Sequence, residues 1–149
     1  MFEAILGVAA VVFVALLLPQ VAAMEANLGG SITVNPGSKL TANQIRQVAA
    51  NAGFAGGDLE TAIAIALAES GGDPNAIGDT AITTGGSVGL WQVNLHWHPE
   101  YDQLKLHDPQ YNANAAYAIY SAAGSDFAPW STYKSGAYEA HLNTDGVAV

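Results

Sequence analysis

Polar and apolar residues fall into three regimes along the chain. Residues 4–18 are all apolar or glycine, and after Pro19 and Gln20 the run resumes with Val21, Ala22 and Ala23. Its length of about 20 residues is that of a membrane-spanning helix. A secretory signal is the competing reading, because Val21 and Ala23 form a small-residue cleavage pattern and Pro19 stands where a signal helix would end. Glu3 argues against it, an acid where signals carry Lys or Arg. The expected organisation is therefore an anchor (or signal segment) over 1–23, a linker over 24–40 and one domain over 41–149. The linker is rich in Gly, Ser, Asn and Pro, with a possible short strand at 31–34.

From residue 41 the period becomes helical. Thr41 and Gln44 have the spacing of a capping box, Ile45, Val48 and Ala49 follow as an apolar stripe, and Gly53 is a natural stop. A second helix is predicted from about Asp58 to Glu69. It is apolar on every side from Ala62 to Ala68, so it should be the buried element. Residues 73–94 carry four glycines, reading as loops with a small hairpin near Ile82-Thr83-Thr84. Asp108-Pro109 then opens a helix with the stripe Ala113, Ala116, Tyr117 and Tyr120, ended by Gly124. A last helix or turn is predicted from Pro129-Trp130 through Tyr138. The fold class is mainly α, with a small β region and an N-terminal hydrophobic helix.

Composition narrows the function classes. Of 149 residues 50% are hydrophobic and 11% charged, against roughly 25% charged in ordinary soluble domains. Thirteen Asp and Glu against four Lys and Arg give a net charge of −9, which repels nucleic-acid backbones and makes nucleic-acid partners improbable. With no cysteine, thiol catalysis and Cys-ligated metals are excluded. Asp73-Pro74-Asn75 briefly imitates a calcium loop, but Ile77 and Thr84 occupy positions that need ligands. His96, His98, His107 and His141 read as surface residues, so neither metal nor cofactor is expected.

Glu69 is the residue whose setting points to chemistry. At the end of an apolar helix, burial and the negative end of the helix dipole both favour its protonated form. A carboxylic acid still protonated near neutral pH can protonate a glycosidic leaving oxygen. The plainer alternative is a carboxyl fraying into solvent. Asp73 and Asp79 lie downstream as candidate second carboxylates. Three Trp and six Tyr, all after residue 90, supply both core and platforms for sugar rings.

The run Ala66-Leu67-Ala68-Glu69-Ser70-Gly71-Gly72-Asp73-Pro74-Asn75-Ala76, followed by Gly86-Ser87-Val88-Gly89-Leu90-Trp91-Gln92-Val93-Asn94, resembles signatures of lytic transglycosylases with the goose-type lysozyme fold. His107-Asp108-Pro109-Gln110-Tyr111-Asn112 is similar to that family's D-P-x-x-N helix start. Pro129-Trp130-Ser131-Thr132-Tyr133 and Ser135-Gly136-Ala137-Tyr138 are similar to its closing motifs, so the likeness covers about residues 41–142. The 77–86 loop departs from it, being longer and richer in threonine than in compact members.

The resemblance implies a small lysozyme-like domain with Glu69 as general acid and base. Ser87 and Gln92 would line the sugar site, Tyr133 would hydrogen-bond near the catalytic carboxyl, and Trp91, Trp130 and Asn94 complete the implied substrate-binding set. The implied substrate is peptidoglycan, cut between N-acetylmuramic acid and N-acetylglucosamine with a 1,6-anhydro product. The leader would add a membrane as partner, and a phage virion with its own membrane or entry device would add virion structural proteins; a bacterial membrane is the alternative setting. Two rival readings are ordinary lysozyme hydrolysis, with Asp73 or Asp79 positioning a water, and a catalytically silent wall-binding or structural virion protein.

Overall fold

The computed structural model describes residues 37–81 and 84–149. The apolar leader, most of the linker including the strand expected at 31–34, and Ile82-Thr83 lie outside the described residues. Helix α1 spans Ala42–Ala52 and begins as its sequence dictates. The Thr41 hydroxyl accepts from the Gln44 N–H, and the Gln44 side chain accepts from the Thr41 N–H. Ile45, Val48 and Ala49 are buried, and Gly53 ends the helix at φ 123°. A Cβ there would strike the Tyr117 ring, so the stop also admits an aromatic neighbour.

Helix α2 spans Gly56–Ser70, starting two residues before the expected Asp58. Its N-cap, Ala55, makes no side-chain bond; Asp58 sits in the first turn, favoured by the dipole, and accepts from the Tyr120 hydroxyl at 2.5 Å. Ala62 to Ala66 are all buried, which makes α2 the central helix, and left-handed Gly71 terminates it. Strands β1 (Ile77–Gly78), β2 (Ser87–Val88) and β3 (Val93–Asn94) follow as a small antiparallel sheet in the order β1-β2-β3. Ile77 pairs with Val88, and Ser87 with Asn94.

Helix α3, Pro109–Ala122, is capped by the Asp108 carboxylate on the Tyr111 N–H at 2.8 Å. The expected last helix is shorter than its sequence suggests. Helix α4 covers only Ser131–Lys134, and a separate 3-10 turn covers Ala137–His141. Gly136 at φ 77° interrupts them, a conformation a helix cannot continue through.

Asn112 ties these elements together. Fully buried, it accepts from the Trp91 N–H at 2.9 Å and donates to the Val88 and Leu106 carbonyls, each at 2.9 Å. Gly89, at φ 79°, has no room for a Cβ against Asn112 and the Leu106 carbonyl. The Trp91 indole lies beneath, donating to the Ala62 carbonyl of α2 at 2.9 Å. Phe54 and Phe127 extend this core, their rings stacked at 5.9 Å.

A clasp closes the domain. Arg46 of α1 donates to both carboxylate oxygens of Glu60 on α2, at 3.3 and 2.7 Å. Glu60 also accepts from the Ala148 N–H at 2.8 Å, while Arg46 reaches the Ala148 carbonyl. The Arg46 hydrogen bonds, helped by the Ala148 N–H, hold the Glu60 carboxyl below its ordinary value of 4.5. A carboxyl of lowered pKa stabilises the fold above its unfolded value, and that contribution disappears as pH falls through the folded value. Glu60→Gln is therefore expected to cost about 1 kcal/mol at pH 7, modest because solvent still reaches the pair. The gap to wild type should shrink below about pH 4. Urea melts at pH 7 and pH 3 check this; an equal gap at both would assign the loss to packing.

Candidate active site

Glu69 emerges in the last turn of α2 and forms one wall of a cavity of about 350 Å³, within the range of natural ligand sites. Its carboxyl is pushed above the ordinary value mainly by burial. The Thr132 hydroxyl, donating at 2.8 Å, and the Thr132 backbone oppose this, and the charge of Asp79 adds to it. The negative end of the α2 dipole acts in the same direction as burial. Glu69 is thus half-buried and oriented by one defined donor, as a proton-donating carboxyl needs to be.

The donor is positioned by a relay of hydrogen bonds from the core. Asn112 fixes the Trp91 backbone; the Trp91 carbonyl accepts from the Trp130 indole at 2.8 Å; Trp130 immediately precedes α4, which carries Thr132. Trp130 is nearly buried yet borders the cavity, so it serves both core and wall.

The sheet supplies the opposite wall. Asp79 follows β1 and accepts from the Ser87 hydroxyl at 2.7 Å; Ser87 in turn accepts from the Asn94 amide at 3.0 Å. Gln92, between β2 and β3, donates its amide to the Ala76 and Gly89 carbonyls at 3.1 and 3.0 Å, bracing the turn beside the sheet. Asp79, Ser87, Gln92 and Asn94 all border the cavity. Asp79 (φ 57°) and Gln92 (φ 47°) are two of three non-glycine residues with positive φ among those described. Such backbone strain is commonly kept where a site depends on it.

The structure brings Glu69, Ser87, Gln92, Asn94 and Trp130 together and corrects two expectations. Trp91 has 0% exposure and lies in the core, its ring turned to α2. Tyr133 does not bond the carboxyl; that contact belongs to its neighbour Thr132, while Tyr133 packs against Phe127 and Tyr138. Successive helical residues point about 100° apart, so a motif placed one residue off selects the wrong side chain. Asp73 turns its carboxylate back onto the Asn75 N–H at 2.8 Å and does not border the cavity.

Thr132 and Trp97 were given no site role from the sequence, and His98, read there as a surface residue, borders the cavity. Trp97 and His98 line the cavity; the available signal was a tryptophan in a short polar loop between a strand and Pro99. A family model described as a lysozyme-like domain matches residues 46–132, more than half of the chain. No curated protein and no solved structure matches it.

Proposed function

Since the chain belongs to the lysozyme-like domain family, whose activity is directed at peptidoglycan, we propose that it is a lytic transglycosylase acting on the β-1,4 bond between N-acetylmuramic acid and N-acetylglucosamine. The observation that carries this reading is Glu69, a carboxyl of raised pKa on a cavity wall and oriented by Thr132. Protonated Glu69 gives its proton to the glycosidic oxygen as the C1–O bond breaks. The substrate's acetamido oxygen supports the positive charge at C1. Glu69, now a carboxylate, removes the proton of the muramyl 6-hydroxyl, whose oxygen closes on C1 as a 1,6-anhydro ring. No water is consumed, and Glu69 ends protonated for the next cycle.

One feature favours hydrolysis as a second reading. Asp79 faces the same cavity, fixed by Ser87 and Asn94 and close enough for its charge to raise the Glu69 pKa. A second carboxylate can activate a water. Mass spectrometry of muropeptides released from purified peptidoglycan decides between them. The expected product is the anhydro form, lighter by one water than the reducing-end product; reducing ends throughout would establish hydrolysis. Retention on peptidoglycan without any soluble product would instead favour a silent wall-binding protein.

The apolar leader supports a further part of the proposal, that the enzyme works tethered to a bacterial or virion membrane with its domain toward the wall. An enzyme of net charge −9 gains no electrostatic attraction to an anionic wall polymer, and a tether replaces attraction with local concentration.

A further inference from the structure

The three tryptophans divide between two environments. Trp91 and Trp130 are 0% and 6% exposed, whereas Trp97 is 71% exposed and still borders the cavity holding Glu69. A large aromatic left in water forgoes a major apolar burial, and at the mouth of a ligand cavity its open face is available to the ligand. Among the described residues its ring neighbour is His96, 4.6 Å away and nearly perpendicular, and most of the Trp97 surface stays open to solvent.

The loop that carries Trp97 is well tied. The Asn94 side-chain oxygen accepts from the His96 N–H at 3.0 Å, and the Asn94 carbonyl accepts from the His98 N–H at 2.9 Å. The Asn94 amide donates to Ser87, the same hydroxyl that holds Asp79. The indole is therefore presented on a turn whose root is the cavity wall, at little cost in ordering upon binding.

We propose that Trp97 is a stacking platform for an N-acetylhexosamine ring of the glycan strand at the mouth of the cavity. The apolar C–H face of a pyranose matches an indole face in size and polarity. Stacking is also indifferent to charge, which suits a chain with four Lys and Arg against thirteen acids. The inference rests on the glycan-directed reading above for the class of polymer, but it concerns grip on the sugar and not cleavage.

The full-length chain carrying Glu69→Gln, titrated with the tetramer of β-1,4-linked N-acetylglucosamine, gives a direct test. Because Trp91 and Trp130 are buried, the red-shifted, acrylamide-quenchable part of the fluorescence comes from Trp97. Saturating tetramer is expected to shift that emission to the blue and shield it from acrylamide. Trp97→Ala in the same background should weaken binding about tenfold, as removal of an aromatic anchor does, whereas Trp97→Phe stays within about threefold. With Glu69 restored, Trp97→Ala should raise KM for peptidoglycan by a similar factor with kcat little changed. Unchanged tetramer affinity in Trp97→Ala overturns the platform. So does a variant that alters only self-association in sedimentation. Cleavage with unaltered KM in Trp97→Ala removes the platform and leaves the reaction standing; Trp97-dependent binding by a wild type that releases no product does the reverse.

Discussion

Glu69→Gln should leave less than about one part in a hundred of wild-type glycan cleavage, with the fold and glycan binding intact. Gln keeps the volume and can still accept from Thr132, whose hydroxyl lies 2.8 Å from the carboxyl, but it has no acidic proton for the departing oxygen. General acid–base catalysis is worth about 10² to 10⁴ in rate, and in the proposed reaction one group serves in both steps. Turnover of soluble muropeptides by purified protein checks this, with Glu60→Gln as the control outside the cavity. Retention of more than about a tenth of activity would be too small a loss for a general acid and would move the search to Asp79.

The same substitution carries an opposite stability signature. Burial raises the folded-state pKa of Glu69, so its contribution is fully present below the ordinary value of 4.5 and is lost as pH rises through the raised value. Above that window wild type bears the cost of a partly buried carboxylate that Glu69→Gln lacks. The variant should match wild type in acid and melt at an equal or higher temperature at neutral pH. Wild-type activity should decline over the interval in which that stability gap opens, since both report one ionisation. Thermal melts and initial rates across pH test the coincidence.

Asn112→Leu is expected to destabilise the domain by about 3–5 kcal/mol, a large share of the roughly 5–15 kcal/mol available to a folded domain. Leu keeps the branched shape of the side chain but is bulkier and has no hydrogen-bonding atom, so overpacking adds to the lost hydrogen bonds. It orphans the Trp91 N–H and the Val88 and Leu106 carbonyls, all served by the one amide. Asn112→Asp should restore the bond to the Trp91 N–H but repel both carbonyls, and should rescue little. Equilibrium urea unfolding gives the comparison. A loss below about 1 kcal/mol, a single ordinary hydrogen bond, would mean that water replaces the amide in the core.

Features decided by near neighbours were legible in the sequence. The Thr41–Gln44 box, the Asp108-Pro109 start and the Gly53 stop are settled within one helical turn, and each stands as the residues imply. Glu69 was legible for a related reason, since its helix is apolar all round and its end is set by Gly71-Gly72. What eluded sequence reasoning depends on partners far along the chain. Trp91 and Trp130 are alike in sequence, but only Trp130 meets the cavity, because Trp91 is drawn inward by the Ala62 carbonyl 29 residues away. The choice between Thr132 and Tyr133 depends on where a four-residue helix begins. Exposure of Trp97 depends on where its loop leaves β3, which the polar residues around it do not fix.

The Arg46–Glu60–Ala148 clasp also has a consequence in time. It joins positions 102 residues apart, and loops of that span must close before their contacts return anything. On the ribosome α1 and α2 emerge early, while the segment that receives the clasp emerges only after the sheet, α3 and α4. A growing chain is therefore without this fastening until residue 148 has left the ribosome. A fold fastened across so long a stretch gains that contact only after residue 148 has been made, long after the two helices it secures.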